Sequence, residues 1–235
     1  MKLFLLLLLG LPLGVCQAQT TTGPTASIDP KSVRTWVVKS AREYAGVYQF
    51  GESEAESRFI VCVEQGLITA QNVSSNWNGK QLIGEYRTFR NVRIAGNKLT
   101  ADQLQAEFVT YTNAQGSRMV GLRVQQPWSG LVKQGQWVFG HRSSTLESYY
   151  NSPFGFISYR LLAPAELKGR SLAELALMRN ELFATYGFIF AKGGAMDRHF
   201  RSLEWYTPQH RDVSGFLNDI ERRNLDLIRR QEAAR

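Results

Sequence analysis

Histidine and cysteine are scarce in this chain of 235 residues, which holds three of the first and two of the second. Cys16 lies in an apolar leader, so Cys62 is the single thiol beyond residue 18, and an internal disulfide in the processed chain is excluded. His141, His199 and His210 show no metal-ligand spacing, and H-E-x-x-H, C-x-x-C and calcium-loop patterns are missing. The sequence also lacks a G-x-S-x-G elbow and a glycine-rich loop leading from a strand into a helix. Those absences argue against a serine hydrolase of that kind and a nucleotide-binding α/β unit. No cofactor, metal or catalytic constellation is implied.

What is present begins with a leader. Lys2, the apolar run from Leu3 to Val15 and then Cys16-Gln17-Ala18 predict a secretory signal peptide over 1–18, too short to span a membrane. Lipidation at Cys16 is the rival reading, disfavoured because Val15 stands where that peptidase requires a small residue. Export places the protein in the periplasm or outside the cell. Residues 19–28, rich in threonine with Gly23 and Pro24, read as a flexible linker. The formal charge of +8 permits attraction to anionic envelope polymers. The basic residues are scattered and not clustered, which speaks against nucleic acid as a partner.

Asp29 as a cap, Pro30 at the first helical position, and Val33, Trp36, Val37 and Tyr44 on one face predict a short amphipathic helix. From Gly46 the hydrophobic period changes to two. GVYQFG, SRFIVCVE, LITAQNV, QLIGEYRTF, NVRIAG, LQAEFVTY, SRMVGLRV and GFISYRLL predict eight short strands separated by turn residues. Joined by tight turns they pair antiparallel, and they close into a barrel or stack as a sandwich, since both hide unpaired edges. The aperiodic stretch 126–151 reads as a long aromatic loop. The fold class is α+β: a helix and β-barrel domain over 29–165, then a small helical domain over 171–235.

Ser171, with Glu174 three residues on, starts a helix that ends at Gly187. Leu172, Leu175, Ala176, Leu182, Phe183 and Tyr186 form its apolar stripe, and Arg179 lies in the middle. A buried guanidinium requires a partner. Asn218 and Glu221 start the last helix, whose stripe of Leu217, Ile220, Leu227 and Ile228 carries Asn224 at its centre. Arg179 is therefore expected to pair with Glu221 and Asn224 in a structural polar network.

Two resemblances follow from these residues. Gly46-Val47-Tyr48 resembles the glycine-x-aromatic start of lipocalin-like barrels, which implies a carrier of a small apolar ligand. Trp77, Trp128, Trp137, Tyr149 and Tyr150 are then candidate ligand contacts. Arg179-Asn180-Glu181, Phe183 to Gly187, Phe190, Phe200, Trp205-Tyr206, Pro208, Leu217, Glu221 and Asn224 resemble the YARHG domain of bacterial exported proteins. Phe183, Ala184, Thr185, Tyr186 and Gly187 occupy its signature, with Phe, Thr and Tyr where the family has Tyr, Arg and His. The resemblance implies an extracytoplasmic location and no defined activity.

A catalytic reading would rest on Glu107, provided it points inward, on the acidic cluster Glu52, Glu54 and Glu56, or on Asp197-Arg198-His199. Chemistry thus ranks behind binding. The sequence predicts a non-enzymatic envelope protein that binds or scaffolds cell-wall glycan or protein, with an apolar-ligand carrier and a cell-wall hydrolase as alternatives.

Overall fold

Alternation of apolar and polar residues builds one antiparallel sheet of ten strands in the computed structural model, which describes residues 28–51, 57–113, 115–125 and 137–235. The expected leader, Cys16, most of the linker, Glu52, Glu54, Glu56 and Trp128 lie outside the described residues. The strands are β1 (Arg34–Thr35), β2 (Gly46–Phe50), β3 (Arg58–Glu64), β4 (Leu67–Trp77), β5 (Leu82–Thr88), β6 (Arg93–Ala95), β7 (Lys98–Ala101), β8 (Leu104–Thr112), β9 (Arg118–Val124) and β10 (Val138–Ser144). Their order is β5-β4-β3-β2-β10-β9-β8-β7-β6, with β1 added to β8. Gln65 and Gly66, with φ of 47° and 80°, make the tight β3–β4 turn that the sequence marks.

The two ends of this order, β5 and β6, are consecutive in the chain. The sheet therefore curls until its ends approach, but no ladder joins them among the described residues. The expected closed barrel is an open one, and a two-sheet sandwich is not formed. β6 has three residues, all paired with β7, which leaves too little strand to zip onto β5. Phe89 instead donates its N–H to Ala70 O, and Arg87 reaches Gln103 across the seam at 3.0 Å. The inner face is packed with side chains: Tyr48, Phe50, Phe59, Leu99, Phe108 and Leu122 are fully buried in one cluster.

Three further expectations change. The segment before β2 is not an amphipathic helix but a 3-10 turn (Pro30–Ser32), β1, and a second 3-10 turn (Ala41–Tyr44). Val33, Thr35, Val37 and Val38 are β-branched and stiff, which favours extended backbone. Trp36 N–H is taken by Phe108 O, and Tyr44 stacks on Phe108 with ring centres 4.0 Å apart. GFISYRLL is not a strand; its first four residues form a 3-10 turn (Gly155–Ser158). The described part of the expected loop 126–151, residues 137–151, holds β10 and a short helix (Leu146–Tyr149), and β10 is hidden in sequence because Gly140 and His141 interrupt the alternation. Gly140 is needed there, since a Cβ would come within 2.4 Å of the Phe50 ring.

Helices follow the strands: α1 (Leu146–Tyr149), α2 (Leu172–Thr185), α3 (Ala195–Arg201) and α4 (Asp219–Ala233). α2 and α4 start with the capping boxes that the sequence shows, Ser171 with Glu174 and Asn218 with Glu221. Their shared core holds Leu175, Met178, Leu182, Leu217, Leu225 and Ile228, joined by Ile157, Leu162 and Leu167. A separate cluster seats Ile220 of α4, Leu146 and Tyr150 on Val47, Ile60, Cys62 and Val73, the outer face of β2, β3 and β4. This seam between sheet and helices positions the polar groups described next.

Candidate functional site

Glu221 ends the first turn of α4 with none of its surface exposed. Its Oε2 accepts from Asn218 N–H and from the Tyr186 hydroxyl, each at 2.8 Å, while Oε1 has no partner among the described residues. Tyr186 O in turn accepts from Gln71 Nε2 at 3.1 Å, and the same amide donates to Phe216 O at 2.7 Å. A strand of the sheet, the end of α2 and the start of α4 are thus tied through one buried chain of polar groups. Burial pushes the Glu221 carboxyl up to about 7, against the lowering effect of its hydrogen bonds. Burial likewise holds the Tyr186 hydroxyl well above its ordinary value.

Asn224, one turn along, does different work. Its Oδ1 accepts from Leu162 N–H at 2.8 Å, and its Nδ2 donates to Ile157 O at 2.8 Å and Arg160 O at 2.7 Å. With Asn218 Nδ2 donating to Ser158 O at 3.1 Å, the polar side of α4 supplies the partners that a neighbouring strand would give residues 157–162. Here is the reason GFISYRLL is not a strand. Glu181 repeats the device on α2: its carboxylate accepts from Ser152 Oγ at 2.6 Å and Phe154 N–H at 2.8 Å, and burial raises its pKa.

The expected Arg179–Glu221–Asn224 network does not form. Arg179 Nε instead meets Glu232 Oε2 at 2.9 Å, in the last turn of α4, and its side chain keeps 29% of its exposure. The buried face of α2 runs through Leu175, Met178 and Leu182, so Arg179 stands on the flank of the stripe, where a long side chain reaches the rim. Sequence reasoning found Glu221 and Asn224 as polar groups on a core face but missed Gln71, Glu181, Asn218's second bond and Glu232. Glu181, one residue before Leu182, carried a signal, since it shares the face of Met178.

The signature positions form a joint. Ala184 is buried among Phe190, Phe200 and Tyr206, and Thr185 Oγ1 donates to Glu181 O at 2.9 Å. Gly187, with φ of 67°, ends α2, and its carbonyl accepts from Gln209 and His210 N–H. A Cβ at Gly187 would stand 2.7 Å from Thr207 O, so glycine is required twice over. Phe183 lies on the floor of an open groove of about 580 Å³ between α2 and α4, beside Phe188, Leu217 and Leu225.

Four of the candidate aromatic contacts, Trp77, Trp137, Tyr149 and Tyr150, lie among the described residues. Trp77, at the end of β4, is 64% exposed. Trp137 is covered by the Arg123 guanidinium 4.2 Å from its ring centre. Tyr149 and Tyr150 pack edge to face at 4.9 Å within the seam, and Tyr150 is buried. Glu107 is not an inward acid. Leu104, Ala106 and Phe108 take the inner face, and Glu107 bonds Arg123 Nε at 3.0 Å on the other side. Asp197 is committed to Gly193 N–H and Arg201 at 2.9 and 2.7 Å, which removes it from a pairing with His199. Burial raises the Cys62 thiol to about 12, the behaviour of a core residue and not a nucleophile. Among the described residues no three histidine, cysteine or acidic side chains gather as a metal site, and no helix is long and apolar enough to cross a membrane.

Residues 149–233 match the family model of the YARHG domain. No curated protein and no solved structure matches the chain. The match takes in Tyr149, Tyr150 and the turn held by Asn224, ahead of the helix at Leu172.

Proposed function

We propose that this chain, which carries a YARHG domain of the kind typical of exported bacterial proteins, is a non-enzymatic envelope module that binds an acidic amphipathic segment of another protein. The groove between α2 and α4 is the binding surface. Its floor is apolar, through Phe183, Phe188, Leu217 and Leu225, and its rim carries Arg222 and Arg229. Both arginines are exposed and lack a carboxylate partner among the described residues; Arg222 Nε donates only to Leu217 O. That pair of free cations beside an apolar floor carries the reading. Asp212 and Asp226 also line the groove, so a partner's charges must be placed and not merely numerous.

Arg222 and Arg229 are seven residues apart on α4, about 10 Å along its axis. Acidic residues two turns apart on a partner helix repeat that spacing, and the apolar residues between them would meet the floor, as in helix-in-groove recognition. A neutral polysaccharide offers no counter-charge to Arg222 and Arg229, and the side chains packed inside the sheet occupy the space a carried apolar ligand would need.

A fluorescent helical peptide with leucines on one face and glutamates two turns apart tests this. It should bind at low salt, weaken as salt rises, and lose about tenfold in affinity to Arg222→Glu/Arg229→Glu, while its lysine counterpart should not bind. Indifference of the acidic peptide to the double charge reversal would defeat the proposal. Retention of the protein on peptidoglycan with no peptide binding would favour the glycan instead.

A further inference from the structure

Glu221 is a buried acid without a buried cation. The groups that face it are neutral near pH 7: the Tyr186 hydroxyl at the end of α2, Tyr150 after α1, the Cys62 thiol from β3, Asn218 at the α4 cap and Ser158 from the 3-10 turn Gly155–Ser158. Behind Tyr186 stands the Gln71 amide of β4. Arg222 is the cation among its influences, the weakest of those named, and its side chain is exposed. One carboxylate oxygen accepts two hydrogen bonds and the other makes none of ordinary geometry, although the Ser158 side chain adds to the stabilisation of the charged form. The hydrogen bonds favour the carboxylate, but complete burial without a counter-ion outweighs them and favours the neutral acid, because a lone buried charge lacks solvent.

We propose that Glu221 is a proton-operated latch between the sheet and the helical part: neutral, it seats α4 against β4 through Tyr186 and Gln71, and ionised, it loosens the first turn of α4 together with residues 157–162. The loop is included because Asn218 and Asn224, which flank Glu221 on α4, hold Ser158, Ile157, Arg160 and Leu162. The latch rests on the contacts of Glu221 alone and not on what the α2–α4 groove binds, although Arg222 of that groove lies in the same first turn of α4.

The raised pKa of about 7 sets where the latch works. An unfolded glutamate ionises near 4.5. Between those values the closed form retains a proton that an opened form releases, so opening becomes easier as pH rises. Above about 7 both forms are ionised and the effect is complete. The separation corresponds to about a 300-fold change in the opening equilibrium at full span.

Carbon-13 NMR of the glutamate side chains and amide hydrogen exchange, corrected for intrinsic rates, test it in the full chain. One carboxyl should titrate near 7 and vanish in Glu221→Gln. Protection at Leu162, Asn218 and Glu221 should drop about a hundredfold between about pH 5 and pH 8 in the wild type and stay level in the variant. Should Glu221→Gln not fold, Tyr186→Phe removes a bond that favours the charged form and should move the titration upward. Ordinary titration of every glutamate, pH-independent protection in the wild type, or a Tyr186→Phe midpoint that stays put would overturn the latch.

Discussion

A polar residue on an apolar helix face contributes according to how many groups lose a partner with it. Arg179 and Asn224 make the comparison within one core. The Arg179–Glu232 pair sits at the rim, both side chains partly exposed, so solvent screens it and Arg179→Ala should cost less than about 1 kcal/mol. Asn224→Ala leaves the Leu162 N–H and the Ile157 carbonyl, both buried, and the part-buried Arg160 carbonyl without it, and should cost about 2–4 kcal/mol. Urea denaturation of the two variants checks the order; an arginine variant as damaging as the asparagine one would contradict the assigned roles. The sequence displays both residues as polar interruptions of a stripe, so their presence on the helix faces is legible. Their partners are not. Glu232 lies 53 residues from Arg179 and Leu162 lies 62 from Asn224, and neither separation leaves a periodic trace.

Among the elements, β5 shows how an open barrel protects an edge. Gln209 Oε1 accepts from Gly84 N–H at 2.9 Å and its Nε2 donates to Leu82 O at 2.8 Å, an amide side chain imitating the next strand. His210 Nε2 lies 2.9 Å from Gly84 O and adds a third contact. Gln209→Ala should expose Gly84 to fast hydrogen exchange, cost about 1–2 kcal/mol, and promote concentration-dependent association through the freed edge. Sedimentation across a concentration series reads the last effect; a variant with protected Gly84 N–H and unchanged association would show that the edge is covered by other means. Seven of the eight expected strands occur, because half-buried antiparallel strands write their burial directly into alternation. β1, β7 and β10 were missed for want of length or alternation. GFISYRLL mimics a strand in composition, but its backbone partners come from α4 side chains, which local pattern cannot reveal. The capping boxes of α2 and α4 were legible because all their partners lie within three residues.

At the scale of the molecule, the expected division into a β domain and a helical domain meets a seam that both parts help to build. Ile220 and Tyr150 cover Ile60, Cys62 and Val73, Gln71 bonds both Tyr186 and Phe216, and Gln209 completes the β5 edge. Without the helices, an apolar strip on β2, β3 and β4 would face water. Sheet and helices should therefore unfold together, with amides such as Val61 of β3 and Leu225 of α4 sharing one exchange free energy in mild denaturant. The Glu221 proton makes the test sharper. Its folded-state pKa is raised, so its contribution is fully present below 4.5 and is lost as pH rises to about 7, about 3 kcal/mol in all. If the seam couples the two parts, that loss appears equally at Val61 and Leu225, although Val61 faces the opposite side of the sheet. A pH response confined to Leu225, or two separate thermal transitions, would mean that the chain is two bodies in contact and that the proton governs only one of them.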